Sequence, residues 1–344
     1  MHIFGRIYTY YLYLLTNPNY PMRKLHLVVA LIVAFQLFLF NGCGQKQDAT
    51  SEKYLRSVGY LPSWKHACYE TVDYSALTHL NIAFCNPDTT GVMRDPFARL
   101  GENVFHDIVK KAHENGVLVI ASLGGGGGGK NYPALIETAE SRVAFCEKIM
   151  EYVDKYDLDG VDLDLEEGED HILWKNYEAW VKELRRQCTA KNKLLTSAVS
   201  TWFSNSMTDE TFACFDYITL MAYDGAFDNH SSYETSVRML KHYNEERHVD
   251  ADKIVLGMPF YGHQDNRYNP VGYRDILAAS PEAWKVDYIE NTSYNGIPTL
   301  KKKCELSKQY GGMMFWELSY DAEGEYSLLK AIKEALYDGK NAPR

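Results

Sequence analysis

The run Asp159-Gly160-Val161-Asp162-Leu163-Asp164-Leu165-Glu166-Glu167 sets three acids, Asp162, Asp164 and Glu166, at alternating positions between aliphatic residues. Successive side chains of an extended strand point to opposite faces. The spacing therefore predicts one face of Asp162, Asp164 and Glu166 and another of Val161, Leu163 and Leu165. Carboxyls stacked on one buried face repel each other, and burial disfavours their charged forms as well. At least one is expected to keep a proton near neutral pH. A protonated carboxyl at the end of a strand can give that proton to a leaving oxygen, the step on which glycosidic cleavage depends. An exposed edge strand can also alternate acids with leucines, but the other strand candidates lack that alternation. A calcium loop starting at Asp157 fails, because Val161 and Asp162 stand where a ligand and a glycine belong, and Gly168 where a glutamate is needed.

The elements around this run form a regular series. Short apolar segments at 55–60, 77–84, 117–122, 158–164, 194–200, 217–223, 254–258 and 313–316 read as strands. Between them lie segments of helical period. Val143, Cys146, Met150 and Val153 form one stripe. Leu173, Tyr177, Trp180, Val181, Leu184 and Cys188 form a second, and Leu328, Leu329, Ile332 and Leu336 a third. Eight strands alternating with helices within about 290 residues predict an α/β fold, a single-domain (β/α)8 TIM barrel spanning 55–340. The acids then lie on the fourth strand and point to the barrel axis.

Residues Leu25 to Phe40 form an apolar run, preceded by Arg23 and Lys24 and followed by Asn41-Gly42-Cys43. That order describes an export signal, and the run is short for a bilayer span, which needs ~20 residues. Segment 1–42 is expected to be a leader, with Met22 an alternative start. Cys43 is expected to be the lipid-attachment site at the head of a polar linker, 43–54. The protein is thus expected to be exported, as an envelope lipoprotein of a bacterium or as a secreted monomer, touching membrane only through its lipid. Loss of residues 1–42 removes Arg6, Arg23 and Lys24 and no acids, so the formal charge moves from −10 to −13. Such an acidic body argues against nucleic acid as partner. The other six cysteines are scattered without CxxC or CxxH spacing, which leaves a zinc or redox site unsupported. No metal and no cofactor is expected.

The acid run resembles the Asp-Gly-x-Asp-x-Asp-x-Glu signature of glycoside hydrolase family 18, the family of many chitinases and endo-β-N-acetylglucosaminidases. Further pieces are similar and fall in the same order. They are Ser122-Leu123-Gly124-Gly125, Met221-Ala222-Tyr223-Asp224, Gly257-Met258-Pro259-Phe260-Tyr261-Gly262, and Gly311-Gly312-Met313-Met314-Phe315-Trp316 with Asp321 beyond. The resemblance implies a retaining hydrolase of β-linked N-acetylglucosamine polymers in which the substrate's own acetamide is the nucleophile. By that resemblance Glu166 is the acid and later the base, Asp164 holds the acetamido N–H, and Asp162 shares a proton with Asp164. Tyr223 would fix the acetamido oxygen. Trp316 would floor the sugar site, with Asp224, Met221, Tyr60, Phe84, Gly125 and Tyr261 lining it. Trp64 and Trp202, after the first and fifth strands, suit either stacking on neighbouring sugars or packing.

Two departures from the family pattern stand out. His263 occupies the place where many relatives carry Arg. Only about 50 residues separate the last two barrel strands, so the large α+β insertion of many processive relatives is expected to be absent and the cleft more open. The run Gly124 to Gly129 followed by Lys130 approaches a phosphate-binding loop, but Asn131 replaces the Ser or Thr that would bind magnesium and Pro133 follows closely. Chitin or chitooligosaccharides and the chitobiose core of N-glycans offer the same bond, and both remain open at this point. A non-catalytic sugar-binding barrel is disfavoured by the retention of Glu166, Asp164 and Tyr223 together.

Overall fold

The computed structural model describes residues 53–101 and 103–344, so the expected leader and Cys43 lie outside the described residues. Residues Tyr54–Arg344 form one compact unit. Its strands in chain order are β1 (Arg56–Pro62), β2 (His79–Ala83), β3 (Leu118–Gly124), β4 (Gly160–Asp164), β5 (Leu194–Val199), β6 (Tyr217–Leu220), β7 (Ile254–Pro259), β8 (Tyr261–Gln264), β9 (Pro270–Gly272), β10 (Tyr288–Ile289), β11 (Thr292–Ser293) and β12 (Gly312–Trp316). Strands β1 to β7 and β12 close into a parallel barrel, with β1 paired to both β2 and β12. All eight expected strands are present. Strand β6 ends at Leu220, so Met221, Tyr223 and Asp224 belong to the loop beyond it.

The long helices are α1 (Val104–Glu114), α2 (Ala139–Lys155), α3 (Trp174–Ala190), α4 (Tyr233–Lys241), α5 (Ile297–Ser307) and α6 (Leu328–Tyr337). Each buries one stripe. On α1 that stripe is Phe105, Ile108, Val109 and Ala112, spaced for one face of a 3.6-residue period. The expected stripes of α3 and α6 are buried as read. On α2 the reading needs correction. Val143 is exposed, and the inward face is carried by Phe145, Cys146, Ile149, Met150 and Val153. Phe145 is the reason, because its ring stacks on Trp180 of α3 at 5.6 Å and turns the helix. The first and fifth units depart from strict alternation. Short 3-10 turns over Ser63–Glu70 follow β1, and a single turn, Asp209–Ala213, precedes β6.

The segment between β7 and β12 carries no large domain, yet it is more than a connection. Strands β10-β11-β8-β9 form a small antiparallel sheet, with a short helix at Tyr273–Ala279. This sheet stands as a low wall over one side of the barrel mouth. The six described thiols are free, and burial pushes those of Cys85, Cys188 and Cys304 up to about 12. Among the described residues no helix is long and apolar enough to cross a membrane.

Candidate active site

Strand pairing puts the acids where alternation requires. Ser122 of β3 is level with Asp162, Gly124 with Asp164, and Thr196 of β5 with Asp162. Val161, Leu163 and Leu165 are buried against the helices. Asp162 is fully buried in the barrel axis and accepts from Tyr60 Oη at 2.8 Å, Ser122 Oγ at 2.8 Å and Thr196 Oγ1 at 2.7 Å. Both its oxygens are engaged by these hydroxyls. No hydrogen bond among the described residues joins Asp162 directly to Asp164, with which the family resemblance implies a shared proton. Burial still raises its pKa, partly offset by the hydroxyl donors.

One layer higher, Asp164 is buried and its Oδ1 has no partner among the described residues. Burial first, then the charges of Glu166 and Asp162, hold its carboxyl well above the usual range. Glu166 stands above it at the mouth. Burial, then the charges of Asp224 and Glu167, push its carboxyl up to about 7. The ladder thus offers a largely buried acid at the cavity wall that keeps a proton near neutrality, above a carboxyl with a free oxygen. Buried polar atoms left without partners are uncommon, and among those of this protein Asp164 Oδ1 belongs to a residue that lines the cleft.

A cavity of about 650 Å³ opens over this ladder. Asp164, Glu166, Tyr223, Asp224, Met221 and Trp316 all line it, as do Tyr60, Phe84, Gly125 and Tyr261. Every expected substrate residue therefore faces one space. The Trp316 ring is fixed by Phe84, stacked at 5.7 Å, and by Tyr60, edge-on at 5.5 Å. Trp64 is half exposed and lies 6.3 Å from Trp316, on the cavity wall. Trp202 does not join them. It packs edge-on to Phe203 at 4.7 Å and lies outside the cavity lining. Asp321 is also remote, and caps α6 by accepting from the amides of Leu328 and Leu329.

The end of β3 explains the paired glycines. Gly124 has φ +111° and Gly125 φ +82°. A Cβ on Gly124 would meet the Asp164 carbonyl oxygen at 2.2 Å, and one on Gly125 would meet the Phe84 ring at 2.3 Å. Only glycine lets β3 cross so close to the acid-bearing strand. Asn86 holds this crossing through both Gly124 backbone groups, at 2.8 and 2.9 Å. Sequence reading missed Asn86, and it missed Tyr268, Pro270 and Tyr320, which complete the wall from the β8–β9 side and beyond β12. The isolated Asn86-Pro87 pair carries no periodic signal, and the strands that lift Tyr268 and Pro270 are too short to show one.

Asp224 behaves differently from the ladder. It has φ +60°, and a third of its side chain is exposed. Its carboxylate accepts from Tyr261 Oη at 2.8 Å, His263 Nε2 at 2.7 Å and His230 Nδ1 at 3.1 Å. Burial alone would raise its pKa, but the three donors and the nearby His230 bring it well below the usual carboxylate range. His230 and His263 are buried. Together with Asp224 they form a cluster of metal-ligating types with facing atoms within 4.8 Å.

A closed α/β barrel with a proton-retaining acid beside an unpartnered carboxyl, both opening into a cleft walled by aromatic rings, defines a barrel hydrolase of glycosidic bonds. The model of the glycosyl hydrolases family 18 matches residues 56–321, and the chain belongs to that family, a glycosidase. A solved chitinase from the chitin utilization locus of Flavobacterium johnsoniae is 33% identical, with a TM-score of 0.76 over 83% of this chain and 95% of that one. A chitinase structure from Bacteroides thetaiotaomicron is 29% identical, with a TM-score of 0.74 over 83% of this chain and 97% of that one. Among curated relatives, an endochitinase of Metarhizium anisopliae is 23% identical over 78% of this chain and 81% of its own length.

Proposed function

We propose that this glycosidase cleaves β-1,4-linked N-acetylglucosamine, in chitin or chitooligosaccharides, with retention of configuration. The observation that carries the reading is the vertical pair of Asp164, with an unpartnered oxygen, and Glu166, with a carboxyl pushed up to about 7. Glu166 gives its proton to the bridging oxygen as the C1–O bond breaks. The carbonyl oxygen of the 2-acetamido group forms the new bond to C1 and gives an oxazolinium ion. Asp164 accepts the acetamido N–H and stabilises the positive charge that grows there. Tyr223 donates to the acetamido oxygen and orients it, which converts a bimolecular attack into an intramolecular one. Water then attacks C1, Glu166 takes its proton, and the acetamide is restored. Trp316 is the apolar floor for the sugar ring. The relatives named as chitinases favour chitin over the N-glycan core as substrate.

The test compares chitooligosaccharides with a high-mannose glycopeptide, using wild type and Glu166→Gln. Turnover of the chitooligosaccharides is expected, with a loss of roughly 10²–10⁴-fold in the variant and with binding kept. Full turnover by Glu166→Gln would remove Glu166 from its role, and cleavage of the glycopeptide alone would reverse the substrate assignment. We further propose, from the order of residues 23–43, that the protein is exported and anchored through Cys43. Cys43→Ser is expected to release it from membranes, and unchanged fractionation would refute the anchor.

A further inference from the structure

The catalytic reading uses Asp224 only as a lining residue, yet no other acid in the cleft is held so firmly. We propose that His230 and His263 are positioning residues that hold Asp224 as a carboxylate at the mouth of the cleft, facing Glu166, and that they act as a hydrogen-bonding pair and not as metal ligands. The proposal rests on Glu166 being the acid of the reaction.

The two roles differ in where each imidazole carries its hydrogen. The backbone amide of Asn269 donates to His263 Nδ1 at 3.3 Å, so Nδ1 is an acceptor and the ring hydrogen sits on Nε2. Nε2 is the atom 2.7 Å from Asp224 Oδ1. A metal at Nε2 would need the opposite tautomer and would set Nδ1–H against the Asn269 N–H. On His230 the atom facing Asp224 is Nδ1, at 3.1 Å, and Nε2 is buried with no partner among the described residues. Metal-bound imidazoles donate their second N–H to an acceptor, and here that hydrogen would be buried and unpaired. Donation from Nδ1 to Asp224 leaves only a bare acceptor at Nε2, which costs less.

Charges around the cluster agree with this. Behind His230 lies Lys303, buried, whose Nζ donates to Ser231 O at 2.6 Å, Ser231 Oγ at 2.8 Å and Asn295 Oδ1 at 2.7 Å. Its positive form disfavours both a protonated His230 and an added cation. The same contacts fix Ser231, the neighbour of His230, and Ser231 Oγ donates to Ala222 O at 2.9 Å, which pins the start of the Tyr223–Asp224 loop. Tyr261 supplies the third donor to Asp224. On the cleft side Asp224 shares the cavity with Glu166, Tyr223 and Tyr268, and its charge acts on all three, while Glu166 also feels Glu167 and acts on Asp164. An anion fixed at Asp224 makes loss of the Glu166 proton harder, so the basic limb of kcat/KM lies higher than it would without the clamp.

Asp224→Asn is expected to lower the basic limb by between about half a pH unit and two units, the range set by Coulomb coupling across a partly solvated cleft. The double variant His230→Leu/His263→Leu is expected to shift it in the same direction. His263→Gln, which keeps an N–H donor, should restore most of the wild-type profile. A merely structural pair would change kcat or stability and leave the limb in place. An unmoved limb in the double variant overturns the proposal. Should that variant fail to fold, long-range 1H–15N NMR of the wild type decides: hydrogen on His263 Nε2 and His230 Nδ1 supports the clamp, and the opposite tautomer on either ring overturns it. Calorimetric titration with zinc chloride supplies the remaining arm. No stoichiometric binding supports the hydrogen-bonding pair, and one zinc bound per chain, lost in the double variant, overturns it in favour of a metal site. The tautomers are read without substrate, so a failure of Glu166→Gln to lose activity would strike the catalytic reading separately.

Discussion

Two regions of one cleft hold carboxyls in opposite states. On β4, Asp164 and Glu166 are carried inward by strand alternation, and burial and mutual repulsion raise both carboxyls, so that the pair retains a proton. On the loop after β6, Asp224 is anionic although it shares the same cavity. Donors and solvent make the difference. Asp224 has two imidazoles, a phenol and a partly open face, while Asp164 has an oxygen with no partner among the described residues. Asp162 shows the limit of the rule, since three hydroxyls reach it and its pKa is still raised by complete burial. Depth outweighs donors at the bottom of the barrel, and donors outweigh depth at the rim. An acid and a fixed anion thus coexist in one cleft.

The strongest way to break the comparison is to change the unpartnered carboxyl. Asp164→Asn keeps the shape but removes the charge that answers the cationic intermediate. A loss of about 10²–10³-fold in kcat is expected, with KM changed much less. A loss below tenfold would mean that the free oxygen of Asp164 is incidental. The comparison is sharpened next by the wild-type pH profile. With Glu166 at about 7, kcat/KM should fall as pH rises through that value, since the acid form is the one consumed, and approach tenfold per pH unit beyond it. A profile flat to pH 9 would assign the proton elsewhere.

Much of this arrangement was legible in the residues, for unequal reasons. The eight strands and the ladder were readable because apolar runs and a period of two are local properties, visible without knowing any neighbour. Tyr223, Asp224 and Trp316 were placed by resemblance to a family pattern, since nothing in their own spacing sends them to the same cavity as Glu166. The clamp was not legible. Tyr261 and His263 share β8 and His230 comes from the loop after β6, and their meeting depends on the small sheet β10-β11-β8-β9, whose strands of two to four residues leave no periodic trace. The stripe on α2 was misread at Val143 because helix rotation follows the largest partner, Trp180, and that contact is between helices. Trp202 stands half exposed and edge-on to its neighbour Phe203, outside the cavity lining.

The smallest predicted effect concerns the base of the clamp and separates support from chemistry. Lys303 touches no substrate-lining residue, but three of its hydrogen bonds fix Ser231 and Asn295 behind His230. Burial lowers its pKa from 10.5 to about 7. In the unfolded chain the ammonium stays protonated up to about pH 10, so between the two values the unfolded state binds more protons than the folded one. Folding stability from this group therefore rises with pH across that window and is smallest below pH 7. Between pH 7 and pH 9 the gain should be about 2 kcal/mol. Lys303→Met removes the titration, and it leaves Ser231 O and Asn295 Oδ1 short of a donor, at a cost of about 1–3 kcal/mol. Denaturant unfolding of both proteins at pH 7 and pH 9 measures the two effects together. The wild type should gain stability over that interval relative to the variant, and the kcat/KM of the folded variant should stay within a few-fold. Parallel pH dependence of the two proteins would mean that Lys303 is charged throughout, and the cation behind His230 would then be a permanent part of the clamp.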